Sequence, residues 1–478
     1  IYRLLIIILE LLLGNSLQQI KYPLKLLNST FNKYASAKNI FINTLSLSSI
    51  NNFSLKKRIS LVSQEILSSE IDILNSMLFG IEIEIGSNSQ KFNVILDTGS
   101  QILWIPENNS INSNKNIKNF YEPTKSETAK NIKKEFEVFY GTGYCQGYYY
   151  KDLIKFLSNE KYYLFFGSAN NSIFDVEGAE GILGLARNYS NNSFSPMYTL
   201  KKNGIIKSAS FSFKYDSNKN NLFMYAGKPH ADFSNKNTAF CNLLSNDDYE
   251  KMLWACELHS FGFIKNSSNI KSEENILIKS NISVIFDTGT NALYLPYEIL
   301  LSLKEKIKKY NCIIGSSSLY ESDDLSSFVV CFDIEQIPDI SLEFGDYILI
   351  LNKYKMFYTI NFGYGIIGYF LNIQFQKNSW IAIIGQNFFT EFHTLFDPEN
   401  KVLKFYSDKN GKIISLKNNN NENGNNLGII IIFLIIIILI IAFFYYRNQK
   451  KNNIESNYEW MGTNNESNSK FNNINQSV

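Results

Sequence analysis

The sequence has few of the residues on which several catalytic and binding classes depend. Its three histidines, His230, His259 and His393, are widely spaced and form no His-Glu-x-x-His pattern, so no metal site is predicted. No Gly-x-Ser-x-Gly element is present, which argues against the serine nucleophile of α/β-hydrolases. Charged residues make up only 19% of the chain and leave a formal net charge of +2, so no nucleic-acid partner is expected.

Cysteine is also scarce, whereas apolar residues are plentiful. The five cysteines cannot all pair with one another. Hydrophobic residues make up 45% of the chain, which is ample for burial. At 478 residues the chain is too long for one ordinary core, so more than one packed unit is expected. Short apolar runs separated by Gly, Asn and Ser predict a mostly β region from about Leu78 to Tyr406. One helix is predicted over Tyr297–Tyr310, where apolar residues recur at helical spacing.

Both ends of the chain carry apolar segments that predict membrane targeting. Residues 1–16 contain Arg3, an apolar run from Leu4 to Leu13 broken only by Glu10, and small residues after it, which is typical of a secretory signal peptide; the alternative is a buried terminal helix. Residues 427–446 are 20 residues without a charge, enough for a helix of about 30 Å that spans a bilayer. Basic residues follow at once, so the positive-inside rule places residues 447–478 in the cytoplasm.

These segments predict a single-pass type I protein of the secretory pathway or the cell surface. Residues 411–426 form an Asn-rich linker to the membrane span, and Tyr458 begins a tail motif that is either a sorting signal or a chance match. A lumenal location makes cysteine pairing and glycosylation possible. Acceptor sequons begin at Asn28, Asn52, Asn108, Asn170, Asn188, Asn191, Asn266 and Asn281, and many of them are expected to arise by chance in an Asn-rich chain.

One short sequence occurs twice in the chain. Val-Ile-Leu-Asp97-Thr98-Gly99-Ser100 is echoed by Val-Ile-Phe-Asp287-Thr288-Gly289-Thr290, and the flanking segments 92–106 and 282–296 agree at seven of fifteen positions. Each Asp follows an apolar run that predicts a buried strand, where an isolated ionised carboxylate is costly. The repeated Asp within a repeated sequence therefore predicts that two halves of the chain each contribute one carboxyl group to a single site.

The chemistry of such a pair follows from its charge. Two carboxyls about 3 Å apart cannot both ionise easily, so Asp97 and Asp287 are expected to share one proton. The ionised Asp can then activate a water while its protonated partner donates to the carbonyl under attack. The glycines that follow allow a tight turn beneath each carboxylate, and the Ser100 and Thr290 hydroxyls lie within reach of the adjacent Asp.

With these two motifs, the chain resembles pepsin-like aspartic endopeptidases, including plasmepsin-like members, from about Leu78 to Tyr406. Asp97-Thr-Gly-Ser-Gln-Ile-Leu-Trp104 matches the first catalytic loop of that family. Phe139-Tyr140-Gly141-Thr142-Gly143 resembles the flap hairpin that closes on substrate, which implies that Tyr140 hydrogen-bonds Trp104. The hydrophobic-hydrophobic-Gly elements of the family match Ile182-Leu183-Gly184 and Ile383-Ile384-Gly385.

The resemblance implies a fold, a domain order and a substrate class. The expected fold is a mostly β, bilobal acid-protease fold with a monomeric catalytic unit that binds peptide or protein substrates between its lobes and needs no cofactor. The implied order is a prosegment over residues 17–75, beginning near Lys21-Tyr-Pro-Leu-Lys25, an N-terminal lobe over 76–235 and a C-terminal lobe over 236–410. Asn291 departs from the usual Ser or Thr after the second motif and is expected to alter a substrate subsite.

The resemblance also bears on the cysteines. Cys331 matches the last disulfide partner of the family, which implies a Cys312–Cys331 bond. Cys241 and Cys256 flank a turn-like segment and are candidates to bridge paired strands. Cys145 is then left over on the flap, either as a passively buried thiol or as a feature shared with some plasmepsin-like enzymes.

Three other functions compete for the same residues. Gly141, Gly143 and Gly147 invite comparison with a phosphate-binding loop, but an aromatic, β-like segment follows them rather than a helix. Paired carboxylates also serve glycosidases, yet here they are accompanied by the peptidase frame. The serious rival is a catalytically inactive, membrane-tethered protein of the same fold that binds peptides or proteins, which the intact Asp97 and Asp287 motifs disfavour.

Overall fold

The computed structural model describes residues 19–28, 77–112, 117–140, 143–173, 178–187, 194–216, 221–227, 237–265, 267–317, 326–363, 366–376, 379–409, 411–416, 437–443 and 445–447. The chain divides into two units, Ile1–Leu416 and Lys417–Val478. The predicted signal peptide and residues 448–478 of the predicted tail lie outside the described residues.

The first half of the larger unit is built from strands. They are β1 (Gln19–Asn28), β2 (Met77–Ile85), β3 (Gln90–Asp97), β4 (Leu103–Asn112), β5 (Lys130–Tyr140), β6 (Gly143–Lys155), β7 (Tyr162–Ile173), β8 (Gly181–Gly184), β9 (Phe211–Asp216) and β10 (Asn221–Gly227). One α-helix, α1 (Pro196–Lys202), and a 3-10 turn at Pro123–Lys125 interrupt them. Burial alternates along β6, where Tyr150, Asp152 and Ile154 point inward, as expected for a strand with one covered face.

The second half follows the same plan. Its strands are β11 (Thr238–Asn242), β12 (Ala255–Ile264), β13 (Ile276–Phe286), β14 (Leu293–Pro296), β15 (Cys312–Ser317), β16 (Ser326–Cys331), β17 (Asp339–Phe344), β18 (Tyr347–Leu351), β19 (Phe357–Gly363), β20 (Ile366–Leu371), β21 (Ile373–Gln376), β22 (Ile381–Ile384), β23 (His393–Asp397), β24 (Val402–Tyr406) and β25 (Ile413–Ser415). The helices are α2 (Asp248–Met252), α3 (Tyr297–Ile307), α4 (Lys353–Met356) and α5 (Gln386–Phe389), with 3-10 turns at Lys308–Tyr310 and Ile334–Gln336. The predicted helix over Tyr297–Tyr310 is therefore α3 and the turn that continues it.

Two large sheets organise the described strands. The first runs β11-β24-β23-β9-β10-β1-β2-β3-β8-β4-β7-β6-β5, and the second runs β19-β20-β16-β21-β14-β22-β13-β12-β17-β18-β25 with β15 beside β16. We call strands β2–β8 the first lobe and strands β12–β22 the second lobe. This arrangement confirms the predicted mostly β fold with two related lobes.

The two lobes repeat one strand arrangement around the predicted catalytic motifs. In the first lobe β3 pairs in parallel with β8, placing Asp97 opposite Gly184, and in the second β13 pairs in parallel with β22, placing Phe286 opposite Ile384. Gly184 and Gly385 pack tightly against the loop that follows each Asp, since a Cβ on either would lie 2.4 Å from its backbone. No other residue fits there without displacing the loop.

Strand β1 belongs to the segment predicted as a prosegment. Its first residues pair with β10 and its last with β2, so it lies between them in the first sheet. The remaining residues of that segment, 17–18 and 29–75, lie outside the described residues. The prosegment assignment stays a prediction.

Both predicted disulfides are present. Cys241 in β11 is bonded to Cys256 in β12, and Cys312 is bonded to Cys331, its direct cross-strand partner in the β15–β16 pair. Cys145 in β6 is the free cysteine, and it is fully buried.

The C-terminal unit is described only in part. Residues 437–443 and 445–447 are helical, whereas residues 427–436 of the predicted membrane span lie outside the described residues. Within the part of the chain that the structure describes, no helix is both long and apolar enough to cross a membrane.

The cysteine arrangement predicts the outcome of a thiol titration. We expect Ellman's reagent to find no reactive thiol in the native, unreduced protein and one thiol after denaturation, because burial protects Cys145. Cys145→Ser should remove that one thiol. Two or more thiols after denaturation would contradict the disulfide pairing, and rapid reaction of native protein would contradict the burial of Cys145.

Candidate active site

The two motif aspartates lie at the ends of equivalent strands and face each other. Each carboxylate accepts a hydrogen bond from the backbone N–H two residues later, Gly99 to Asp97 Oδ1 and Gly289 to Asp287 Oδ1, both at 2.8 Å. A Cβ on Gly99 would lie 2.8 Å from Asp287 Cγ, and one on Gly289 would lie 2.6 Å from Asp97 Oδ1. Each glycine therefore leaves the space that the opposite carboxylate occupies.

The environment favours a shared proton. Burial, the neighbouring Asp287 charge and a hydrogen bond between the two carboxyls raise the pKa of Asp97 well above its usual range. Asp97 is 5% exposed, so little water is available to stabilise a second negative charge. One carboxyl of the pair accordingly keeps its proton where an isolated Asp would have lost it.

A reciprocal set of hydrogen bonds joins the two motif loops. The Thr98 N–H donates to Thr288 Oγ1 at 3.1 Å, and the Thr288 N–H donates to Thr98 Oγ1 at 3.0 Å. Each hydroxyl in turn donates across the lobes at 2.7 Å, from Thr98 to the Phe286 carbonyl and from Thr288 to the Leu96 carbonyl. Both threonines are fully buried, so their two N–H groups and two hydroxyls have no water to bond and depend on these partners.

The residue after each glycine is not used symmetrically. Thr290 Oγ1 donates to Asp287 Oδ2 at 2.6 Å. Ser100 lies against Asp97 and opposes the rise in its pKa, but its buried hydroxyl makes no well-formed hydrogen bond. The two carboxyls therefore have different hydrogen-bond donors, although their motifs are repeats of one another.

The predicted flap is the hairpin of β5 and β6. Trp104 Nε1 donates to the Tyr140 hydroxyl at 2.8 Å, and Trp104 is fully buried beneath that hairpin. Burial raises the pKa of the Tyr140 phenol, so it stays neutral. The predicted flap residues Gly141 and Thr142 lie outside the described residues.

Cys145 belongs to the core under this hairpin. It packs in one buried cluster with Trp104, Phe136 and Ile182, and Tyr140 contacts the same cluster. Burial raises the pKa of its thiol, so the thiolate is disfavoured and the side chain behaves as an apolar residue.

Several residues that hold the second motif loop were not predicted from the sequence. Gln386 is buried and donates from Nε2 to the Thr288 carbonyl at 2.9 Å and from its N–H to the Thr290 carbonyl at 2.8 Å. Asn372 is buried and donates to the Asn291 carbonyl at 2.9 Å. Asn291 itself is half-buried beside the motif. The one sequence feature that could have indicated a role for Gln386 is its position directly after Ile383-Ile384-Gly385.

Arg187 was missed for a different reason. It follows the first Gly element and donates to the Leu244 and Glu250 carbonyls and to Ser245 Oγ, and its N–H donates to the Met252 carbonyl. These bonds fix α2 and the segment before it to the first lobe. A lone arginine after an apolar run has no sequence pattern that predicts such contacts. Among the described residues, no cluster of His, Cys, Asp and Glu is arranged to hold a metal ion.

Two related β lobes that each contribute one Asp-Thr-Gly carboxylate to a buried, proton-sharing pair define the acid-protease class of sites. A family model described as eukaryotic aspartyl protease matches residues 79–407. The chain belongs to this family, which confirms the resemblance to pepsin-like enzymes.

Individual relatives are distant and cover most of both chains. Vacuolar protease A of Aspergillus fumigatus is 24% identical over 339 residues, covering 70% of this chain and 79% of the relative. Vacuolar aspartic protease of Candida albicans is 26% identical over 341 residues, covering 69% and 75% respectively. Plasmepsin IV of Plasmodium falciparum is 26% identical over 358 residues, covering 72% of each chain.

The threonine bonds predict an unequal response to two small substitutions. Thr98→Val keeps the shape of the side chain but leaves the Thr288 N–H and the Phe286 carbonyl without their partner, at about 1–3 kcal/mol for each buried group. Thr98→Ser keeps the hydroxyl and loses only a methyl group, which costs about 1 kcal/mol. In urea unfolding of the full chain, the free energy of unfolding should therefore be highest for the wild type, lower for Thr98→Ser and lowest for Thr98→Val. Equal stability of the two variants would contradict the proposed importance of these bonds.

Proposed function

We propose that this protein is an aspartic endopeptidase that hydrolyses peptide bonds by general acid–base activation of a water between Asp97 and Asp287. The observation that carries the proposal is the pairing of the two carboxyls, each facing the glycine of the opposite motif. Membership of the eukaryotic aspartyl protease family supports it.

The contacts assign a role to each carboxyl in the first step. Asp287, with donors from the Gly289 N–H and the Thr290 hydroxyl, is the ionised base that takes a proton from the water. Asp97, whose pKa is raised, donates its proton to the carbonyl oxygen of the scissile bond as the water oxygen bonds to the carbon. The product of this step is a neutral tetrahedral diol.

The second step reverses the two roles. Asp287 gives its proton to the leaving nitrogen while Asp97 takes a proton back from the diol, and the carbon–nitrogen bond breaks. The products are a carboxylic acid and an amine, and the pair again holds one proton. The Tyr140 hairpin, held by Trp104, is the element that would cover the peptide and limit access of other water.

A catalytically inactive peptide-binding protein remains the rival function. Such a protein does not require a proton-sharing pair. The intact pair, the Thr290 contact and the Trp104–Tyr140 bond are all features that activity uses, so they favour the enzyme.

Activity measurements distinguish the two functions. We expect the activated full-length protein to cleave a proteome-derived peptide library in a pepstatin-sensitive reaction, with activity falling as pH rises through the raised pKa of Asp97, because the acid is then lost. Asp97→Ala and Asp287→Ala should each lower kcat/KM by about 10²–10⁴-fold or more. Asp408→Asn, at an exposed carboxylate, is the matched control and should retain activity. Absence of cleavage at every pH by correctly processed, folded protein would favour the rival.

We also propose that the enzyme is made as a preproprotein and anchored in a membrane of the secretory route, where it processes lumenal proteins. The apolar, uncharged sequence of residues 427–446 and the basic residues after it support this orientation. The helical residues 437–443 present exposed apolar side chains, including Ile438 at 63% and Phe443 at 60%. The sequons at Asn108, Asn170 and Asn281 lie at exposed positions, as lumenal glycosylation requires. Two relatives are named as vacuolar, which is compatible with delivery through that route.

Two truncations test the membrane anchor. A chain that ends at Leu416 should be released by alkaline carbonate extraction, whereas a chain that ends at Arg447 keeps the apolar span and should remain in the membrane pellet with the full-length protein. Loss of glycan by endoglycosidase treatment should shift the mobility of both. Equal release of both truncated chains would exclude residues 427–446 as the anchor.

A further inference from the structure

We propose that Gln386 is a positioning residue for the proposed hydrolysis, and that it acts on the Asp287 carboxylate through the peptide group between Thr288 and Gly289. The inference rests on the proposed endopeptidase function. It goes beyond the anchoring of the second motif loop, because it gives the Gln386 side chain an effect on a hydrogen-bond donor that the catalytic carboxylate uses.

Two hydrogen bonds meet at one peptide group behind Asp287. Gln386 Nε2 donates to the Thr288 carbonyl at 2.9 Å, and the Gly289 N–H donates to Asp287 Oδ1 at 2.8 Å. The Thr288 carbonyl and the Gly289 N–H belong to the same planar peptide group. A hydrogen bond to the carbonyl polarises this group and makes its N–H a stronger donor, as in other hydrogen-bond chains. The Gln386 side chain therefore strengthens a bond that the Asp287 carboxylate accepts.

The Gln386 side chain can act on Thr288 only as a donor. A carbonyl oxygen accepts hydrogen bonds and cannot donate them, so the side-chain NH2 group must face it. Gln386 is 4% exposed and Thr288 is fully buried, so water has little access to replace the amide. An amide does not titrate, and this donor is thus present whatever the protonation state of the two carboxyls.

The backbone of Gln386 contacts the same loop on the other side of the carboxylate. Its N–H donates to the Thr290 carbonyl at 2.8 Å, and the Thr290 hydroxyl donates to Asp287 Oδ2 at 2.6 Å. Both oxygens of the Asp287 carboxylate therefore accept from residues that Gln386 contacts. A change of the side chain leaves the backbone contact in place, so the two contributions can be separated by substitution.

The first lobe carries a different side chain at the equivalent position. Leu185 follows the first Gly element, as Gln386 follows the second. A leucine side chain has no N–H or O–H group, so it cannot donate to the first motif loop. The Leu185 N–H instead donates to the Asp97 carbonyl at 2.7 Å. The amide of Gln386 is thus a difference between two halves that the repeat otherwise makes alike, and it acts on one carboxyl of the pair.

Steady-state kinetics of the activated full-length protein test this role. Gln386→Leu removes the donor at similar size, and we expect kcat to fall roughly tenfold with KM changed less than about twofold, because the affected bond is made to a catalytic group and not to substrate. Tyr121→Phe is the matched control, since it removes a buried hydrogen bond to Asp152 in the first lobe. It should lower thermal stability and leave kcat unchanged.

Gln386→Glu adds a pH-dependent readout. A protonated carboxyl can donate its O–H to the Thr288 carbonyl, whereas an ionised carboxylate cannot. Activity relative to the wild type should therefore be highest at the acid end of the active range and fall as pH rises through the ionisation of the introduced carboxyl. Gln386→Leu has no group that can donate and should remain impaired at every pH. Thermal melts at each pH establish that the variants are folded.

A nuclear magnetic resonance measurement detects the effect without activity. The sequence has three Thr-Gly pairs, at 98–99, 142–143 and 288–289, so carbonyl-labelled Thr with nitrogen-labelled Gly gives three amide signals in a carbonyl-selected spectrum. Thr98→Ser and Thr142→Ser each remove one signal and so assign the third. In Gln386→Leu the Thr288 carbonyl carbon and the Gly289 amide proton should both move upfield, because weaker hydrogen bonds deshield both nuclei less. The Gly99 signal should stay in place.

Four results would overturn the inference. They are an unchanged kcat in folded Gln386→Leu, a loss that appears in KM alone, a Gln386→Glu deficit that is the same at every pH, and a Gly289 proton signal that stays in place when the Thr288 carbonyl signal moves. Gln386→Met also lacks the donor and replaces Gln386→Leu if the leucine variant does not fold. If the wild type cleaves no peptide, the endopeptidase proposal fails by itself, and the amide spectrum still decides whether Gln386 acts on the Gly289 N–H.

Discussion

The buried hydrogen bonds between Thr98 and Thr288 are the constraint on which the rest of the site depends. Two strands that end in a carboxylate would repel each other if nothing else joined their loops. The four reciprocal bonds fix the separation of the loops in a fully buried region, where an unpaired N–H or carbonyl is costly. With the loops fixed, the glycine of each motif faces the opposite carboxylate, and the pair is brought close enough to share a proton.

The duplication makes the two lobes similar around their aspartates. The exceptions to that similarity make the two sides of the site chemically different. Thr290 donates a hydrogen bond to Asp287 whereas Ser100 makes no well-formed bond, so the two carboxyls have unequal hydrogen-bond partners. The flap buries Trp104, while its counterpart Tyr294 stays half-buried. A symmetric pair could not distinguish the carbonyl from the leaving nitrogen, or one side of a peptide from the other. The departures from the repeat are therefore where mechanism and specificity are expected.

Much of this arrangement was predictable because the repeat, the Gly elements and the flap tyrosine are local patterns. The Trp104–Tyr140 bond and both disulfides are present as predicted, and the helix predicted over Tyr297–Tyr310 is an α-helix to Ile307 continued by a 3-10 turn. Gln386, Asn372 and Arg187 were not predicted, because each acts on a backbone carbonyl that is distant in sequence. A single side chain that bonds a backbone carbonyl leaves no periodicity or motif in the sequence.

The sequence by itself predicted a buried pair of carboxyls, since two Asp-Thr-Gly motifs each follow an apolar run. It also determined the mostly β fold and the repeat, because alternation and glycine placement are local properties of the chain. The tertiary structure decided which hydrogen-bond donors surround each carboxyl and which lobe is covered by the flap. These depend on donors, burial and distances between segments that the chain brings together only on folding, so no local pattern could specify them.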